Sequence, residues 1–123
     1  MNNQPKILIV DDEPFNVDYL QQELEELNYQ LITASNGREA LDKIQSHLPD
    51  LVLLDLQMPV LDGFAVLSEI KADNDLRNLP VIIVSAANDS RSIVKGIKQG
   101  AEDYLTKPVD ADLLVQKVKE YLG

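Results

Sequence analysis

The chain has 123 residues, 45% of them hydrophobic, and this size suits one globular domain with a single core. Twenty-one acidic residues against eleven basic ones give a net charge of −10, which argues against direct binding to nucleic acid or to an anionic membrane surface. The absence of cysteine excludes disulfides and thiolate metal sites.

We recognise no secretory or transit signal in the first residues of the chain. Met1–Lys6 has neither an apolar signal core nor an Arg-rich transit pattern, and no apolar segment is long enough to span a bilayer. We therefore expect a cytoplasmic location and no contact with a membrane. No linker, repeat or low-complexity tract interrupts the chain, so residues 1–123 are predicted to form one domain.

The first half of the chain alternates strand-like and helix-like segments. The apolar run Ile7–Val10 predicts a buried strand, and Pro14 suits the first turn of a helix. A second strand is predicted at Gln30–Ala34, after which Asn36 and Glu39 resemble the capped start of a second helix. The predicted core residues of these two helices are Val17, Leu20, Leu24 and Leu27, then Leu41, Ile44 and Leu48.

The central feature of the sequence is an aliphatic run, Leu51–Leu54, that ends in Asp55 and is stopped by Pro59. Polar and apolar residues do not alternate in this run, so neither face of the strand suits solvent. The run therefore predicts a strand buried on both faces of a parallel sheet. Ligands of open α/β sheets bind in the crevice beyond the carboxyl ends of the strands. Asp55 is therefore predicted to lie where such sheets carry out their chemistry.

The second half of the chain continues the alternation with three helices and two strands. A helix after Asp62-Gly63, a buried strand at Val81–Val84 ending in Ser85, and a helix from Asn88 to Gly100 are predicted in turn. A short strand at Glu102–Thr106 leads to Lys107-Pro108, and Asp110 can cap the last helix. The residues predicted to face the core from these helices are Phe64, Leu67, Ile70, Ile93, Ile97, Leu114, Val118 and Tyr121.

Right-handed crossovers between parallel strands bring the residues that follow four of these strands to one edge of the sheet. These residues are Asp11, Asp12, Asp55, Ser85 and Lys107. Three crowded carboxylates raise one another's pKa or require a cation, and an all-oxygen cluster favours Mg²⁺. With that cation, Asp55 suits a nucleophile toward a phosphoryl group, and the lysine ammonium and serine hydroxyl suit partners for its other oxygens.

Each of these features also has a structural interpretation. An acidic pair that opens a helix is commonly a cap that complements the helix dipole, and a serine or a Lys-Pro pair at a strand end is unremarkable alone. Their joint occurrence at successive strand ends favours the functional interpretation. For Tyr104, a half-buried strand aromatic and a switch residue are equally compatible with the sequence.

The motifs together resemble the response-regulator receiver domains, the CheY-like family, over about Lys6 to Leu122. The stretches that carry the resemblance are Val10–Glu13, Leu53–Gly63, Val84–Ala86 and Gly100–Pro108. The family implies a flavodoxin-like, doubly wound sheet of five parallel strands in the order 2-1-3-4-5, with five helices. It also implies phosphoryl transfer from a phosphohistidine of a sensor histidine kinase or phosphotransfer protein to Asp55.

The resemblance assigns further roles to this chain's residues. Asp12 would bind Mg²⁺ directly, Asp11 would help through water, and the backbone carbonyl of Gln57 would complete the protein ligands beside Asp55. Lys107 would pair with the phosphoryl group. A cis peptide bond between Lys107 and Pro108 would aim the lysine at the site. Ser85 would swing toward that group and Tyr104 would fill the space it leaves, which changes the face formed by helix four, strand five and helix five for an effector or a second copy.

Two other functions remain open at this stage. A phosphohydrolase that uses an aspartyl phosphate is disfavoured, because Gln57 stands where such enzymes carry a second acid and no cap domain is present. A receiver fold that only binds protein, without phosphorylation, is disfavoured because every expected site residue is present. We expect a protein that catalyses only its own phosphorylation and dephosphorylation and is not a metabolic enzyme. Its kinase, its output and whether it acts alone or within a longer protein do not follow from the sequence.

Overall fold

Five strands and five helices alternate along residues 4–123, the part of the chain that the computed structural model describes. The strands are β1 (Lys6–Val10), β2 (Gln30–Ala34), β3 (Leu51–Leu54), β4 (Val81–Ser85) and β5 (Asp103–Thr106). The helices are α1 (Pro14–Leu24), α2 (Gly37–His47), α3 (Gly63–Ala72), α4 (Ser90–Lys98) and α5 (Ala111–Leu122). All strand pairs are parallel and the order is β2-β1-β3-β4-β5, which confirms the predicted flavodoxin-like sheet.

Two apolar layers cover the sheet because its central strands, β1, β3 and β4, are apolar at every position except Lys6 and Ser85 at their ends. In β1, Leu8 and Val10 pack toward α2 and α3, whereas Ile7 and Ile9 pack toward α1 and α5. Both faces are therefore buried, as expected for a parallel sheet. In the central strands this two-sided burial leaves the strand ends as the places nearest to solvent, whereas the edge strands β2 and β5 are partly exposed.

Side chains cap four of the five helices in the described part of the chain. Asn36, Asp62, Asp89 and Asp110 each accept a hydrogen bond from the backbone N–H three residues on. The caps at Asn36 and Asp110 were predicted. Helix α4 begins later than predicted, because Asp89 and not Asn88 supplies its cap.

The prediction that Leu48 is buried is wrong. Helix α2 ends at His47, and Leu48 adopts a left-handed backbone conformation (φ 51°) in which its N–H donates to the carbonyl of Ile44. This cap turns the chain toward Pro49 and leaves the Leu48 side chain 66% exposed.

The prediction that Ile97 faces the core is also wrong, since its side chain is 45% exposed. The buried residue of α4 is Gly96, where a Cβ atom would collide with the Ile83 side chain. The helix therefore approaches β4 through its glycine. That rotation places Ile93 at the half-buried flank and Ile97 on the outside.

No helix within residues 4–123 is both long and apolar enough to cross a membrane. The predicted absence of a leader at Met1–Lys6 falls partly outside the described residues.

Candidate functional site

The predicted site residues do meet at the carboxyl edge of the sheet. Asp11 and Asp12 follow β1, Asp55 follows β3, Ser85 ends β4 and Lys107 follows β5. Backbone hydrogen bonds extend the ladder one residue beyond the strands. The N–H of Asp55 donates to Val10 O (2.9 Å) and the N–H of Lys107 donates to Ser85 O (2.9 Å), so the sheet itself sets the position of both side chains.

Three carboxylates form a cluster at this edge. Asp11, Asp12 and Asp55 each offer one oxygen, and these oxygens all lie within 4.8 Å of one another. Asp11 and Asp55 are buried, at 2% and 5% exposure, and Asp12 is half-buried on the open side. This oxygen-only donor set, with one side open for water ligands, fits Mg²⁺.

Lys107 lies among these carboxylates. Its Nζ is 2.6 Å from Oδ2 of Asp11 and 3.6 Å from Oδ1 of Asp55. The other oxygen of Asp11 accepts a hydrogen bond from the N–H of Glu13 (2.9 Å). The lysine is thus paired more closely with Asp11 than with the residue it is predicted to serve, a preference that the sequence did not reveal.

The electrostatics distinguish Asp55 from its neighbours. Burial raises its pKa from the ordinary 3.8 to about 6, and the negative charges of Asp11 and Asp12 add to the effect while Lys107 opposes it. Ionisation of this buried carboxylate therefore costs free energy. A divalent cation would relieve that cost, which is a second reason why the cluster fits a metal.

Ser85 and Tyr104 both contact the loop after β4. Ser85 is fully buried, and its Oγ accepts a hydrogen bond from the N–H of Ala87 (3.2 Å). The Tyr104 hydroxyl donates to Ala87 O (2.5 Å), and burial raises the pKa of that phenol. Tyr104 is therefore a half-buried aromatic that also holds this loop, and its role as a switch residue remains a prediction.

The loop between β3 and α3 fits tightly beneath Asp55. The N–H of Gly63 donates to Leu56 O (3.0 Å), and a Cβ atom at Gly63 would collide with the carbonyl oxygen of Asp55. Gly63 thus permits the first turn of α3 to lie directly against the backbone of Asp55. Gln57, two residues after Asp55, is exposed. The role of its backbone carbonyl as a ligand remains a prediction.

The peptide bond between Lys107 and Pro108 is cis, as predicted. Two features near the lysine were not predicted. The hydroxyl of Tyr19 donates to Val109 O (2.7 Å), and Phe15, one turn earlier on α1, is 81% exposed beside the same loop. The helical pattern indicated only that Tyr19 does not lie on the buried stripe, so no sequence signal pointed to this bond.

Comparisons with known proteins agree with this arrangement. A model of the response regulator receiver domain matches residues 7–119. The polar-differentiation response regulator DivK of Brucella anthropi is 37% identical over 120 residues, covering 95% of this chain and 95% of DivK. The alkaline phosphatase synthesis transcriptional regulatory protein PhoP of Bacillus subtilis is 39% identical over 117 residues, covering 95% of this chain.

This chain spans about half the length of PhoP, at 48%. Among solved structures, the receiver domain of the Francisella response regulator 1452 superposes with a TM-score of 0.89 at 35% identity, covering 96% of each chain.

Proposed function

The chain belongs to the response regulator receiver domain family of two-component signalling, and from this we propose that it is a phosphoacceptor switch that takes a phosphoryl group onto Asp55. The donor is a phosphohistidine of a sensor histidine kinase or of a phosphotransfer protein. The observation that carries the proposal is the position of Asp55, buried at the end of β3 between two further carboxylates and the Lys107 ammonium.

The transfer forms one bond and breaks one. A carboxylate oxygen of Asp55 attacks phosphorus, the phosphorus–nitrogen bond of the donor breaks, and the leaving imidazole keeps its electron pair and takes a proton from solvent. In hydrolysis, water attacks the same phosphorus and gives up a proton to solvent, and the bond from phosphorus to the Asp55 oxygen breaks. The carboxylate keeps the electron pair and inorganic phosphate is released. On this proposal the protein catalyses only its own modification and is not a metabolic enzyme.

Asp11, Asp12, Asp55 and the carbonyl of Gln57 are the residues that would hold Mg²⁺. When bound, the ion supplies charge neutralisation for the crowded oxygens. Lys107 carries a single positive charge 3.6 Å from Asp55, and a rotation of its side chain away from Asp11 brings that charge to the transferred oxygens. The buried Ser85 hydroxyl lies at the end of the neighbouring strand, where it can donate to another of them.

The first test is the intact mass of the protein after incubation with a small acyl phosphate, in Mg²⁺ or in a chelator. We expect a gain of one phosphoryl group in Mg²⁺ and none in the chelator, because the crowded carboxylates need the cation to accept a further anion. A folded protein that gains nothing in either condition would overturn the proposal. Such a result would favour the other candidate, a receiver fold that binds protein without phosphorylation.

Phosphorylation is proposed to become a signal through the loop after β4. The new group adds about −1.5 to −2 charges and three acceptor oxygens, which draws the Ser85 hydroxyl away from the N–H of Ala87. The Tyr104 hydroxyl donates to the carbonyl of Ala87, so the loop and α4 move with the Tyr104 ring. The face of α4, β5 and α5, which includes Lys95 and Lys98, is the proposed surface for an effector or a second copy, in the cytoplasm.

Tyr104→Ala should uncouple this face from the phosphorylation site. We expect the amide NMR signals of α4 to shift on phosphorylation in the native protein and to stay in place in the variant, because the ring that connects β5 to the loop is gone. Tyr104→Phe keeps the ring and removes only the hydroxyl that donates to Ala87 O, so this variant should also lose the response if that hydrogen bond carries the coupling. If α4 responded equally in the native protein and in Tyr104→Ala, this coupling would be excluded.

A further inference from the structure

We propose that Tyr19 is a positioning residue for Lys107: its hydroxyl holds the backbone segment that carries the lysine ammonium to the site. This inference rests on the proposed function, because it concerns the rate of phosphoryl transfer. It is carried by one hydrogen bond, from the Tyr19 hydroxyl to Val109 O at 2.7 Å, between residues 90 positions apart in the chain.

The segment Lys107–Val109 connects two fixed elements. At one end the N–H of Lys107 continues the sheet by donating to Ser85 O (2.9 Å). At the other end Asp110 caps α5 by accepting from the N–H of Leu113 (3.0 Å). The Tyr19 bond is a third attachment, and it ties the segment to α1, a different part of the fold.

That attachment closes a ring of contacts around the site. Helix α1 follows directly after Asp11 and Asp12, and Asp11 in turn holds the Lys107 ammonium at 2.6 Å. The acidic pair and the lysine are therefore connected twice, once through their charges and once through Tyr19 and Val109. When the ammonium leaves Asp11 for a phosphoryl group, the Tyr19 bond still ties α1 directly to the segment that carries the lysine.

Packing holds only part of this segment. The Val109 side chain is 8% exposed and belongs to the apolar layer that α1 and α5 cover, whereas Pro108 is exposed. A pocket of about 190 Å³ that opens to solvent lies beside the segment, lined among others by Tyr19, Lys107, Pro108 and Val109. The hydrogen bond to Val109 O adds a directional constraint on the backbone at this pocket.

The chemistry benefits from that constraint, because a charge stabilises a transition state more effectively when the backbone that carries it does not have to reorganise during the reaction. The net value of one hydrogen bond corresponds to a factor of about five in an equilibrium or rate. In Tyr19→Phe we therefore expect the maximal rate of phosphorylation by a small acyl phosphate to fall about fivefold. The donor concentration for half-maximal rate and the affinity for Mg²⁺ should not change, because the carboxylates stay in place.

The matched control is Tyr121→Phe. The Tyr121 hydroxyl also donates to a backbone carbonyl, that of Glu102 (3.3 Å), but it does so at the other end of β5. This variant loses the same chemical group and should keep the native rate. An equal loss of rate in both variants would show a general effect of weakened folding and would overturn the proposal.

Two further measurements make the inference independent of general stability. If Tyr19 acts through the lysine, Tyr19→Phe should slow the residual reaction of Lys107→Ala no further, whereas a purely structural effect would add to it. In the unphosphorylated protein, exchange of the Lys107 amide hydrogen should be faster in Tyr19→Phe and native in Tyr121→Phe.

The failures of the two proposals are distinguishable. A native protein that accepts no phosphoryl group removes the proposed function, and the exchange measurement still decides whether Tyr19 holds the segment. A native protein that is phosphorylated, with Tyr19→Phe equal to it in rate and in amide exchange, removes only the role of Tyr19.

Discussion

Asp55→Asn should abolish the Mg²⁺-dependent gain of one phosphoryl group, as measured by intact mass. An amide has no carboxylate oxygen to attack phosphorus, so the acceptor itself is lost. The neighbouring acids do not replace it. Asp11 is occupied by Lys107 (2.6 Å) and by the N–H of Glu13 (2.9 Å), and Asp12 lies farther out on the open side of the cluster.

Asp42→Asn is the matched control, since it makes the same chemical change on an exposed residue of α2. It should retain the full gain in mass. A gain that persisted undiminished in Asp55→Asn would place the acceptor elsewhere in the chain and would refute the assignment of Asp55.

Asp55→Asn should also stabilise the metal-free protein. The pKa of Asp55 is raised in the folded state from 3.8 to about 6, mainly by burial, so the folded protein disfavours the charged form. At pH above this value the charge lowers the free energy of unfolding by up to ~3 kcal/mol, which is the shift of about 2 pKa units converted at ~1.36 kcal/mol per unit. Asparagine removes the charge and with it this cost.

The stabilisation by Asp55→Asn should depend on pH, and the direction of that dependence follows from the raised pKa of Asp55. As pH rises from 3.8 to about 6, the folded protein still binds the proton that the unfolded chain has released, so native stability falls across this window and the contribution is constant above it. The difference between variant and native protein should therefore be largest at neutral pH and should vanish at acidic pH. Urea unfolding in a chelator at both pH values measures it.

Mg²⁺ supplies the control for this second prediction. A cation that binds the folded native protein stabilises it by mass action, so the advantage of the asparagine variant should shrink as Mg²⁺ is added. A stability difference that was independent of both pH and Mg²⁺ would mean that the charge of Asp55 is not its cause.

The local pattern of the sequence was sufficient for the alternating elements and the parallel sheet, whereas the strand order came from the family resemblance. Aliphatic runs such as Leu51–Leu54 can only be buried on both faces, and parallel strands bring their carboxyl ends to one edge, so the meeting of Asp55, Ser85 and Lys107 followed from topology. The roles of these residues in phosphoryl transfer remain predictions. The helix caps at Asn36 and Asp110 could be predicted for a similar reason, because a cap involves only neighbours in the chain.

Which side chains of a helix face the core was harder to predict from the sequence. The periodicity of α4 placed Ile97 inward, but the close approach of Gly96 to Ile83 rotates the helix. The backbone of Leu48 turns its side chain out at a helix end, where periodicity no longer applies. Hydrophobic pattern gives the average face of a helix, whereas its contacts with the sheet decide which residue lies at the centre of that face.

By itself, then, the sequence determined the order of the elements, the parallel sheet and the residues at its carboxyl edge, because hydrophobic period and chain direction are local properties. Only the tertiary structure decided that Lys107 pairs with Asp11 and that Tyr19 holds Val109. Both contacts join residues 90 or more positions apart. Their distances depend on how α1 and the loop before α5 pack against the sheet, and no pattern of neighbouring residues encodes that packing.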